Sequence, residues 1–134
     1  MIAVVGGRLR RPRPTLPVAK SAQDHLHGAL EALVLKTLSW GPRHGYGIAR
    51  WLEETTDDAL QIEEGSLYPA LYRMERRGLV RAEWGHSELG RRVKLYHLTP
   101  QGRAELRQET AEWARFARAV SKVLLPAEGA PAAG

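Results

Sequence analysis

Tyr72, Arg73 and Arg76 recur at helical spacing within the segment Gly65 to Gly78, and their side chains suit a polyanion. Arginine pairs bidentately with guanine or phosphate, and a tyrosine hydroxyl donates to phosphate or lies against a sugar. Leu67, Leu71 and Met74 fall on the other side of the same turns, so the segment predicts a short amphipathic helix with one face to pack and one to probe. Ser66 is the expected N-cap, where its hydroxyl and the neighbouring amides could hold a phosphate. Pro69 would then sit in the first turn, where a missing amide hydrogen breaks no helical bond. Two apolar, alternating segments follow, Leu79 to Trp84 and Val93 to Leu98, joined by a polar loop ending in Arg91 and Arg92. A helix leading into a basic-tipped hairpin predicts a winged helix, with Arg91 and Arg92 on phosphate or at a minor groove.

No other residues make a comparable set. There is no cysteine, which excludes disulfides, thiolate metal sites and a cysteine nucleophile, and fits a reducing cytoplasm. His25 and His27 lie on different faces of a helix, and His44, His86 and His97 have no ligand-like spacing, so neither a metal nor another cofactor is expected. Gly45-Tyr46-Gly47 is not preceded by a strand in the order a phosphate-binding loop requires. No catalytic constellation remains, and the chain reads as a binding protein.

Charge supports this reading only through its arrangement. The net charge is +5, yet Arg8, Arg10, Arg11, Arg13 and Lys20 supply five positive charges in a stretch without an acid, and 15 Lys+Arg balance 15 Asp+Glu beyond it. Residues 53–64 carry six acids and no base, whereas 73–94 carry seven bases against three acids. The basic stretch coincides with the probing helix and the wing, as a nucleic-acid footprint would.

These residues need elements to hold them. Leu26, Ala29, Leu30, Leu33, Val34, Thr37 and Leu38 follow the i, i+3, i+4, i+7 rule and predict a first helix, capped by Asp24 and ended by Gly41-Pro42. A second helix is expected from Gly45 to Glu54, burying Tyr46, Ile48 or Ala49, Trp51 and Leu52, with Gly47 weakening its start. Trp40, Trp51 and Trp84 are assigned to the core. The longest helix runs from Pro100 to about Leu125, where Leu106, Thr110, Trp113, Ala117, Val120 and Leu124 advance in steps of four and three. That is a heptad seam, widened by Phe116 and Val123, and it predicts a homodimer. Trp113 would then meet its own copy across the two-fold axis and make a flat aromatic slot for a planar ligand.

The organisation is therefore mainly α with a small β-hairpin: a disordered basic arm over 1–24, a winged helix-turn-helix DNA-binding domain over 25–99, a dimerisation helix over 100–125 and a disordered tail over 126–134. No apolar run approaches the roughly 18 residues of a membrane span.

The string Leu33-Val34-Leu35, Gly41-Pro42, His44-Gly45-Tyr46, then Gly65-Ser66-Leu67-Tyr68-Pro69-Ala70-Leu71, Met74-Glu75 and Gly78-Leu79-Val80, then Arg91-Arg92-Val93-Lys94-Leu95-Tyr96 and Leu98-Thr99 resembles the PadR family of bacterial transcriptional regulators, in the short form with one C-terminal helix. The resemblance covers about residues 26–125. It implies a dimeric winged-helix repressor of a pseudo-palindromic double-stranded DNA operator, released by a small ligand. It also implies that Tyr68, Tyr72, Arg73 and Arg76 lie on or beside the recognition helix, Arg91 and Arg92 on the wing, and Trp113 where some short members bind flat hydrophobic compounds. A winged helix serving only as a protein-interaction module is the rival expectation, favoured by the neutral folded region.

Overall fold

The computed structural model describes residues 3–5, 8–10 and 22–125. Its centre is a helix, α1 (Ala22–Leu38), against which α2, α3, α4 and β5 pack. Leu26, Leu30, Val34, Leu35 and Leu38 are all buried, as their spacing requires, and full burial of each such side chain is worth about 1.5–3 kcal/mol. Thr37, also buried, donates its hydroxyl to the Leu33 carbonyl at 2.8 Å, which removes the cost of placing a hydroxyl there. The helix begins two residues before Asp24, so that residue is inside the first turn and is not the cap. It ends where expected: Gly41 takes φ +134°, open to glycine and strained for other residues.

A two-residue strand, β3 (Arg43–His44), follows and was not foreseen. Helix α2 (Gly45–Thr55) then buries Ile48 and Leu52, with Ala49 and Trp51 half-buried against the core. Tyr46 is 63% exposed, contrary to its expected burial. His44 caps this helix by accepting the Gly47 amide hydrogen at its Nδ1, 3.0 Å away. The start of α2 is thereby fixed despite the glycine. Across the acidic loop, the buried Glu53 carboxylate accepts the Ile62 amide hydrogen at 3.0 Å and ties the end of α2 to the segment entering the next helix.

That helix, α3 (Glu64–Arg76), starts two residues earlier than Ser66, with Glu63 at the cap position. Ser66 is therefore in the first turn, donating its amide to the Glu63 carbonyl at 3.0 Å, and Pro69 lies beyond that turn, as the helix's sixth residue. The carbonyl of Gly65 loses its helical donor there. Leu67, Ala70, Leu71 and Met74 seal α3 to the core, each almost inaccessible to solvent.

Strands β4 (Val80–His86) and β5 (Arg92–Leu98) pair antiparallel from Val80↔Leu98 to His86↔Arg92, and β3 adds to the far side of β5, giving the order β3-β5-β4. Helix α4 (Pro100–Leu124) closes the described chain. Thr99 caps it, accepting from the Gly102 amide at 2.9 Å, and its own hydroxyl lies 2.7 Å from the Gly78 carbonyl. Gly102 packs directly on the Leu79 carbonyl, where a Cβ would collide with backbone. This junction fixes the direction in which α4 leaves the domain. Leu106 joins the core margin, whereas Trp113, Phe116, Val123, Leu124 and Leu125 are exposed.

Of the segment 1–24, residues Ala3–Val5 (β1) and Arg8–Arg10 (β2) pair antiparallel, a regular element where none was expected. The tail 126–134 lies outside the described residues.

Candidate nucleic-acid interface

With Leu67, Ala70, Leu71 and Met74 facing the core, the 100° step of a helix puts Gly65, Pro69, Tyr72 and Arg76 on the opposite side of α3. Tyr72 is 60% exposed and accepts a hydrogen bond from Arg76 Nη1 at 3.3 Å, while the guanidinium carbon stands 5.8 Å from the phenol ring centre. The two side chains make one exposed unit, cationic at the end and aromatic along its length.

Arg73 lies to one side of that face. Its Nε is 3.6 Å from a Glu31 carboxylate oxygen on α1, and Arg77 bridges Glu31 at 2.8 Å and Glu105 of α4 at 3.5 Å. The anchoring partners are thus Glu31 and Glu105, from sequence-distant helices, which no local pattern in α3 could disclose. Tyr68 flanks the other side. Its ring covers the backbone of Gly45, where a Cβ would come within 2.7 Å of the phenol. Burial, and secondarily the charge of Glu64, pushes the Tyr68 hydroxyl above its ordinary pKa, so it stays a neutral donor.

On the hairpin, Arg91 is exposed at the tip, where its backbone amide donates to Ser87 Oγ at 3.2 Å and closes the loop. Arg92 lies over Trp84, its guanidinium carbon 4.3 Å from the ring centre, and Lys94 Nζ stands 5.8 Å from the same ring. Trp84 is 57% exposed and so belongs to the wing, not the core. Trp40 is likewise a surface residue, with Lys36 Nζ 5.2 Å from its ring. Both tryptophans alternate or repeat with apolar neighbours, and periodicity alone cannot tell a hairpin tip from its base.

Along α4 the heptad residues share a stripe: Leu106, Ala117 and Val120 are half-buried, and Trp113 and Leu124 are exposed. Trp113 contacts Phe116, ring centres 6.2 Å apart. Among the described residues no group of histidines and carboxylates is arranged to hold a metal ion, and no helix is long and apolar enough to cross a membrane.

Three helices on a small sheet, with an exposed basic and aromatic helix beside a basic hairpin, define a winged-helix DNA-binding protein. The family model for the transcriptional regulator PadR-like family matches residues 34–108, and the chain belongs to that family of transcriptional regulators, which are not enzymes. A PadR-like transcriptional regulator from Bacillus cereus is 28% identical with a TM-score of 0.68, covering 78% of this chain and 100% of that one. A transcriptional regulator from Clostridium thermocellum is 28% identical with a TM-score of 0.69, covering 76% and 99%. An uncharacterized protein of Lysinibacillus sphaericus is 31% identical over 91 residues, 68% of this chain and 84% of its own length.

Proposed function

We propose that the chain acts in the cytoplasm as a homodimeric repressor that binds a pseudo-palindromic operator and is released by a small planar hydrophobic effector. The observation that carries this reading is the exposed Tyr72–Arg76 unit on α3, beside a wing whose Arg91, Arg92 and Lys94 pair with no carboxylate among the described residues. Arg76 is assigned to a guanine edge and Tyr72 to the adjoining sugar or phosphate. Arg73, held toward Glu31, takes a phosphate at the groove margin, with Ser66, Tyr68, Arg91 and Arg92 completing the backbone contacts.

The dimer follows from the far half of α4. Trp113, Phe116, Val123 and Leu124 expose apolar surface in one protomer that a second copy would cover, and the two recognition helices would enter successive major grooves about 34–36 Å apart. Trp113 from each protomer would then flank a flat effector. Sedimentation of the free chain tests the first element: twice the 14.9 kDa chain mass is expected, and a monomer at micromolar concentration contradicts it. Anisotropy titration of a duplex taken from upstream of its own gene tests the second. Loss of about five- to 150-fold in Arg76→Ala, the equivalent of the roughly 1–3 kcal/mol of a bidentate base contact, is expected. Equal binding of an unrelated duplex would favour the protein-interaction reading.

A further inference from the structure

The two faces of the wing treat their charges differently. On one face Arg81 Nη1 is 3.3 Å from Glu83, and His97 Nε2 is 2.6 Å from the same carboxylate, so the arginine of that face is paired internally. On the other face the register places Trp84 opposite Lys94 and His86 opposite Arg92, above the pairs Ala82↔Tyr96 and Val80↔Leu98. Directly paired residues share a face. Arg92 and Lys94 both lie against the exposed Trp84 indole, and among the described residues no carboxylate pairs with either.

The base of this second face is buried. Val80 and Tyr96 pack inward, and burial first, then the charge of Glu75 on α3, pushes the Tyr96 hydroxyl above its ordinary pKa. The cationic tip is therefore the outward continuation of the face against which α3 packs. We infer that Trp84 is a positioning residue for DNA binding: its ring face holds Arg92 and Lys94 side by side as a two-cation clamp for the phosphodiester backbone flanking the groove that α3 enters. This rests on the DNA-binding reading above. Cations leaning on an aromatic face keep their charge and most of their donors, and lose part of the side-chain freedom that ordering on phosphate would otherwise remove. A carboxylate partner would instead have neutralised them, as Glu83 does on the opposite face.

The test compares full-length wild type, Trp84→Ala and Trp84→Phe by anisotropy on the duplex from upstream of its own gene and on an unrelated duplex of equal length, across a salt series. Trp84→Ala should weaken binding to both duplexes about three- to tenfold and lower the slope of log K against log salt by about 0.9, one phosphate contact. Trp84→Phe keeps a flat ring and should stay within about twofold of wild type. A purely structural role would move the melting temperature and leave the salt slope alone. Wild-type binding matched by Trp84→Ala in both affinity and slope overturns the inference and spares the DNA-binding reading, and a Phe variant as weak as the Ala variant also overturns it. Wild type that binds neither duplex overturns both. Should Trp84→Ala not fold, fluorine NMR of the 5-fluorotryptophan-labelled wild type decides. The Trp84 resonance, assigned with Trp84→Phe, should shift on adding the duplex; an unmoved resonance overturns the inference.

Discussion

Replacing Glu31 by glutamine sets two effects against each other. Glu31 holds Arg77 at 2.8 Å and Arg73 at 3.6 Å, and the three side chains are 34%, 51% and 58% exposed. Exposed pairs of this kind contribute about 0.2–1 kcal/mol each, so the variant should lose roughly 0.5–1.5 kcal/mol of stability, since glutamine still accepts one hydrogen bond. DNA affinity should move the other way. The substitution removes one negative charge beside α3, strengthens the hold of Arg73 on the phosphate assigned to it and releases Arg77, in part, toward another. If one further phosphate is engaged, the slope of log K against log salt should steepen by about 0.9 and low-salt affinity should rise about three- to tenfold. Urea denaturation and anisotropy titration over a salt series, on the same preparations, measure both. A variant that is less stable but binds with unchanged slope would refute the view that Glu31 restrains these arginines, and so would one that binds more weakly.

Other expectations follow from single contacts. Gly102→Ala must displace the Leu79 backbone from α4 and should cost about 1–3 kcal/mol in urea denaturation; a change below about 0.5 kcal/mol contradicts the packing described. Glu109 has its carboxyl raised above the ordinary 4.5 by burial first and by Glu105 next, so its ionisation opposes folding. The native state binds the proton more tightly, so stability is greatest below the unfolded pKa and is lost as pH rises through the folded one. Glu109→Gln should therefore raise the melting temperature near neutral pH and leave it unchanged below the carboxylate range; an equal gain at both contradicts this. For the effector, planar aromatic compounds should quench the tryptophan emission of wild type and not of Trp113→Phe, and equal quenching in both places the ligand elsewhere.

Much of this architecture was legible because local rules and tertiary packing agree. The spacing of Leu26, Leu30 and Val34, the Gly41-Pro42 stop and the two alternating segments each named an element that the structure contains. The misplacements have physical causes. Ser66 has a capping side chain, but the helix gains a further turn by starting at Glu64, where an acid suits the dipole, and the cost is Pro69 inside the helix. As a strand, β3 depends on β5, more than forty residues away, and leaves no local pattern, and His44 caps α2 although histidine is not among the usual capping residues. Trp84 alternates correctly for a strand, yet alternation reports only a face, and the same face is core at Val80 and solvent at Trp84. The ties from Arg73 and Arg77 to Glu31 and Glu105 are invisible to spacing within α3 for the same reason.

Whether two copies of α3 read one side of a symmetric operator is settled by hydroxyl-radical footprinting of the DNA upstream of its own gene. Two protected patches are expected, their centres about one helical turn, 34–36 Å, apart, both lost in Arg76→Ala. A single patch, or protection that persists unchanged in that variant, would contradict this reading.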